Sequence, residues 1–174
     1  SIVSSGSATA ALGVTATPIA LIKSFTNDPV ARGGTVDLEF TIANYNRSEA
    51  ATAITFTDDL DATLSGLVAT GLPQANVCGA GSQISGTSLL TLTGGNLAAE
   101  GQCTFTVTLQ VPVGAAPGAY PNVTSALAAD VGGSGVAGSP GGDILFVAPA
   151  PLLTKEFTDD PALPGGTVNL RFTI

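Results

Sequence analysis

A few residues of this chain are of types that do chemistry. Cys78 and Cys103 are its two cysteines. Cys103 opens C-T-F-T-V-T-L-Q-V, in which Cys103, Phe105, Val107, Leu109 and Val111 alternate with polar residues. That alternation puts Cys103 on the core face of a strand. A disulfide to Cys78 closes a loop of about 25 residues and contributes roughly 3 kcal/mol. It also implies an oxidising, extracytoplasmic compartment; the alternative is two buried thiols. Asp58, Asp59 and Asp61 cluster at a predicted strand end. Calcium takes several hard oxygen ligands, which clustered carboxylates supply. The spacing departs from the D-x-[DN]-x-[DN]-G loop, and a solvated, turn-forming acidic loop is the commoner use of such a cluster. No other cofactor is expected. Asn46-Arg47-Ser48 and Asn122-Val123-Thr124 are glycosylation sequons. The first lies in a predicted turn. The second lies in a predicted strand, on the parity opposite Val123 and Leu127, and is expected to face solvent. Lys23 shares the parity of Leu21 and Phe25 and is expected to point inward. A buried Lys beside an Asn and an acid is the arrangement that forms an intramolecular isopeptide bond, although a snorkelling Lys near an Asp is far commoner.

Other chemistries are excluded by composition. The 174 residues include no His, Met or Trp, which removes the commonest general base and the commonest transition-metal ligand. Nucleophilic catalysis needs an activated Ser, Thr or Cys beside a base, and no motif frames one. Paired carboxylates for glycoside hydrolysis have no aromatic platform to accompany them, since aromatics are 5% of the chain. The chain is therefore not expected to be an enzyme. Five basic residues against 13 acidic ones give a net charge of −8, with no footprint for nucleic acid. With 44% hydrophobic and only 10% charged residues the chain is not disordered. No apolar run approaches the roughly 18 residues of a membrane span.

The elements that must hold these residues follow from a repeat. Phe25 to Ile42 reads F-T-N-D-P-V-A-R-G-G-T-V-D-L-E-F-T-I, and Phe157 to Ile174 reads F-T-D-D-P-A-L-P-G-G-T-V-N-L-R-F-T-I. Across residues 19–42 and 151–174 about 14 of 24 positions agree, at one offset of about 132. Lys155 repeats Lys23. Because the second copy ends in mid-pattern, the chain is expected to be a window on a longer tandem array. Residues 1–18 are the last strand of a preceding repeat, 19–150 one complete repeat, and 151–174 the first strands of the next. Pro18, Pro149 and Pro151 mark the junctions as short, stiff linkers. Within the unit, strands are predicted over 19–26, 35–43, 52–57, 83–84, 88–93, 102–111, 119–129 and 143–147. Turns are expected at 27–29, 33–34, 44–49 and at Gly94-Gly95-Asn96. Residues 64–77 read as irregular with one short strand, and 132–142 as a flexible Gly/Ser loop. No window has a capped helical period. The fold class is all-β: an immunoglobulin-like antiparallel β-sandwich, in tandem.

The motif F-T-x-D-P-x-x-x-G-G-T-V-x-L-x-F-T-I resembles the domain-of-unknown-function repeats, the eleventh of that series and its relatives, of very large bacterial and archaeal surface proteins. The resemblance continues through Asn44, the Ala51–Thr57 strand with Asp58, Cys78-Gly79, Leu92 to Ala99 before Cys103, and Gly118-Ala119-Tyr120 before Asn122. Asp59-Leu60-Asp61-Ala62 departs from the Leu-Pro-Ala-Gly turn common there. The resemblance implies an immunoglobulin-like sandwich arrayed on an exported protein and carries no catalytic residues. The expected function is structural: a repeat of an extracellular filament, stalk or giant cell-surface protein, whose partners are neighbouring copies packed end to end. Two alternatives stay open. One is an adhesive module whose end loops bind a carbohydrate or protein; the other is a filament subunit that donates its terminal strands to a neighbour.

Overall fold

The computed structural model describes residues 17–174. The strand expected to close a preceding unit, apart from Thr17 and Pro18, lies outside the described residues. From Ile19 to Val147 the chain forms β1 (Ile19–Phe25), β2 (Thr35–Asn44), β3 (Ala51–Asp59), α1 (Leu60–Thr63), β4 (Val68–Thr70), β5 (Gln74–Ala75), β6 (Gln83–Ser85), β7 (Leu89–Leu97), β8 (Gln102–Gln110), β9 (Gly118–Val123), β10 (Leu127–Val131), β11 (Ser134–Gly138) and β12 (Gly142–Val147). A further pair follows, β13 (Thr154–Phe157) and β14 (Leu170–Thr173).

Two layers enclose the core. One sheet runs β1-β2-β8-β4, the other β11-β10-β3-β7-β6-β5, and every named strand pair is antiparallel. Period-2 alternation explains what fills the space between them. Val36, Leu38, Phe40 and Ile42 of β2 are buried, as are Phe105, Val107 and Leu109 of β8. They face Ile54 and Phe56 of β3 and Leu90 and Leu92 of β7 in one continuous core. The Phe40 ring lies 5.1 Å from Phe56 and 5.4 Å from Phe105, centroid to centroid, at the separations aromatic pairs favour.

The pair β9–β12 forms a smaller sheet of its own. It lies along β1, the edge strand of the first layer, and β12 runs in the same direction as β1. Val30 N–H donates to the Phe146 carbonyl at 2.9 Å, and Ala148 N–H to the Val30 carbonyl at 2.8 Å, as a parallel bridge. Two carboxylates extend this seam: Asp143 accepts from Phe25 N–H at 2.7 Å and Asp28 from Phe146 N–H at 2.8 Å.

Four local expectations are corrected. Gly94-Gly95-Asn96 is not a turn but lies inside β7, where the β3–β7 register shifts. A Cβ at Gly95 would stand 2.9 Å from the Ile54 Cβ, so glycine there lets two backbones approach. The single strand expected at 119–129 is two, because the chain changes sheets at Thr124–Ala126. Thr124 N–H bonds Gly141 on the β12 side, and Ser125 N–H bonds Thr57 of β3. The loop expected at 132–142 contains β11, folded back on β10 through Gly132-Gly133. Both glycines have positive φ, +58° and +79°, as a two-residue type I′ hairpin turn demands. Residues 64–77 hold two short strands rather than one, β4 and β5, and α1 adds a single helical turn before them.

The second copy of the motif folds like the first. In β1–β2, Lys23 faces Phe40 and Phe25 faces Leu38; in β13–β14, Lys155 faces Phe172 and Phe157 faces Leu170. Asn27 accepts from Asp37 N–H at 2.6 Å, and Asp159 from Asn169 N–H at 2.6 Å. The environments differ. Phe25 and Phe40 are 5% and 0% exposed, whereas Phe157 and Phe172 are 58% and 60% exposed.

Candidate functional site

Strand parity brings three polar side chains of the sequence analysis to one interior point. On β1, Ile19, Leu21, Lys23 and Phe25 all point inward. On β3, Ile54, Phe56 and Asp58 do the same. On β9, Asn122 is the buried residue. The Lys23 and Asp58 side chains are both fully inaccessible, and Lys23 Nζ lies 2.8 Å from Asp58 Oδ2. Asn122 Nδ2 donates to the other oxygen, Asp58 Oδ1, at 2.7 Å. A single carboxylate thus holds an ammonium and a carboxamide, one on each oxygen, with one residue from each of three sheets. The Phe40 ring closes one side, its centroid 6.0 Å from Lys23 Nζ. Asn122 Oδ1 is buried with no hydrogen-bond partner.

The electrostatics follow from burial. Taking two charges out of water costs several kcal/mol per ion, which the attraction of a close pair offsets only in good geometry. Desolvation pushes the Lys23 ammonium below its ordinary pKa of 10.5, against the opposing pull of Asp58 and, more weakly, Asp143. Lys23 does not snorkel: its head group, like its stem, is interior.

The remaining candidates are dispersed. The calcium cluster at Asp58, Asp59 and Asp61 does not form. Alternation sends Asp58 inward and Asp59 outward, where its carboxylate caps α1 by accepting from Ala62 N–H. Asp61 turns to Gly66 N–H at 2.8 Å. Among the described residues no three acidic or sulfur ligands converge on a metal position. Asn122 is no exposed sequon, being 1% accessible and hydrogen-bonded inside. Asn46 sits at a solvent-facing turn, where its side chain accepts from Ser48 and Glu49 N–H. Cys78 and Cys103 are joined in a disulfide. It ties the segment between β5 and β6 to β8, and so links the two layers. Pro149 and Pro151 are exposed beyond β12, and Pro18 precedes β1 with its carbonyl accepting from Tyr45 N–H. No helix among the described residues is long and apolar enough to cross a membrane.

Residues 18–146 match the family model described as Domain of unknown function (DUF7933). No curated protein matches the chain. Among solved structures the chain is similar to the crystal structure of BcpA, the major pilin subunit of Bacillus cereus. The identity is 13% and the TM-score 0.51, over 79% of this chain and 42% of that one. For a variant of the same pilin subunit the identity is 15% and the TM-score 0.54, over 83% of this chain and 44% of that one. The chain thus spans less than half the length of these pilin chains. At such identities the likeness is one of fold, and the fold is an immunoglobulin-like antiparallel β-sandwich.

Proposed function

We propose, from the premise that the chain belongs to the DUF7933 family, that it is a non-enzymatic structural module of an exported surface protein or filament, strung end to end with further copies of itself. The observation that carries this is the pair β13–β14. It reproduces the register and capping of β1–β2, yet Phe157, Leu170 and Phe172 stand in water. An isolated hairpin is marginal in water. The surface that covers these side chains in the first copy comes from β3, β7 and β8 of the same unit. The occupant proposed for the second is the same set of strands in a following unit. On this reading 19–150 is one unit, 151–174 opens another, and 1–18 closes a third. The disulfide supports an oxidising compartment, at the cell surface or beyond it. The fold shared with a pilin subunit accords with such a role. Kinship with the eleventh-series surface repeats rests on the motif residues and belongs to the same proposal.

A duplication from within the chain tests it. Residues 43–150 appended after Ile174 supply the missing strands in register. Backbone amides of 154–173 should exchange freely in the 174-residue chain and become protected in the extended one. Amides that stay unprotected in the extended chain, while concentrating the 174-residue chain protects them, would overturn the array in favour of strand donation between subunits.

A further inference from the structure

We propose that Lys23 and Asn122 become joined by an intramolecular isopeptide bond between Lys23 Nζ and Asn122 Cγ, with Asp58 moving the protons. The geometry is that of a bound reactant pair. The amine and the carboxamide occupy the two oxygens of one buried carboxylate, at 2.8 Å and 2.7 Å. Holding two groups this way replaces a bimolecular encounter by an intramolecular one, which removes a substantial part of the barrier to amidation. The three side chains are closed off from solvent, so bulk water does not compete with the amine for the carbonyl carbon.

The reaction balances without any co-reactant. A proton passes from the Lys23 ammonium to Asp58, leaving a neutral amine with a free electron pair. Burial favours that step, because it exchanges a desolvated ion pair for two neutral groups. The amine nitrogen attacks Asn122 Cγ; the Nζ–Cγ bond forms and the carbonyl electron pair moves onto Oδ1. Asp58 then relays a proton from Nζ to Nδ2, and the Cγ–Nδ2 bond breaks as the carbonyl re-forms. One amine and one carboxamide become one secondary amide and one ammonia, and nothing is oxidised or reduced. The product also resolves two costs visible in the fold. It removes a buried charge, and Asp58, left protonated, becomes a donor for the oxygen that is Asn122 Oδ1, which is otherwise without a partner.

The test is the mass of the folded protein, measured after reduction and denaturation. The expected value is that of the sequence less one ammonia. Fragmentation should yield one branched peptide containing both Lys23 and Asn122, with no tryptic cleavage after Lys23. Lys23→Met and Asn122→Ala should each restore the full sequence mass. Lys23→Met fills the same space with an apolar chain, and circular dichroism checks that it keeps the β fold. Folded wild-type protein at the full sequence mass overturns the proposal. So does ammonia loss that persists in Lys23→Met, which would place it in a side reaction such as succinimide formation elsewhere.

Discussion

Asp58 has a worth that depends on what stands beside it. Asp58→Ala leaves the Lys23 ammonium buried without a partner and should cost about 3–5 kcal/mol, whereas the paired change Lys23→Met with Asp58→Leu should recover most of that. Neither variant retains the acid and the amine together, so the comparison isolates the ion pair from any covalent bond. Urea midpoints measure it, and equal midpoints would show that the charges are not desolvated. Asn122→Ala carries a second expectation, in pH. There Lys23 keeps its amine, with a folded-state pKa lowered by burial. The unfolded chain then binds the proton more tightly than the folded one, so stability is greatest above 10.5 and is lost as pH falls through the lowered value. Melting curves across the alkaline range should show this slope in Asn122→Ala and not in a cross-linked wild type, where Lys23 no longer titrates. The inward direction of Lys23 is legible in the sequence, and that of Asp58 follows equally from its parity with Ile54 and Phe56. An acid at a strand end nevertheless resembles a turn, and only the tertiary fold supplies the cation that lets it be buried. Asn122 reads wrongly because its parity is judged against Val123, an apolar residue that faces solvent on β9, and against Leu127, across a point where the chain changes sheets and alternation carries no information.

At the scale of elements, the long alternating strands β2 and β8 are plain in the sequence, because burial on one face imposes the period directly. The glycine-rich stretches are ambiguous, because one residue serves both turns and close approaches. Gly94-Gly95 reads as a turn and is a register shift; Gly132-Gly133 reads as part of a loop and is a hairpin turn. The distinction is measurable. Gly95→Ala drives a methyl against Ile54 and should cost about 1–3 kcal/mol by forcing β3 from β7. At Gly114 a Cβ meets nothing within 4 Å and φ is not positive, so Gly114→Ala should leave the melting temperature unchanged. Equal effects at the two positions would contradict the packing described for β3 and β7.

For the molecule as a whole, the disulfide is the clearest test of layer cohesion. Replacing Cys78 and Cys103 together by Ala should cost about 2–5 kcal/mol, read as a lower urea midpoint. An unchanged midpoint would mean that β8 and the β5–β6 segment hold together without it. The sandwich class is legible from the density of short strands and turns, and the repeat from its own identity, whereas the pairing of β12 beside β1 is not. That contact rests on one backbone bridge and two carboxylates from loops and strand ends, which no periodicity encodes. Its consequence concerns tension. Because β1 and β12 run the same way, the chain enters the sandwich at one end and leaves at the other. A pull along an array loads the seam lengthwise. The bonds of Val30 to Phe146 and Ala148, and those of Asp28 and Asp143, must then give way together instead of unzipping singly. Resistance to such a pull is governed by an unfolding barrier rather than by equilibrium stability. A covalent tie from β1 to β9, the partner of β12, would carry the load past β2 to β8 entirely, so that stretching the proposed array would extend only its linkers and the segment from β10 to β12.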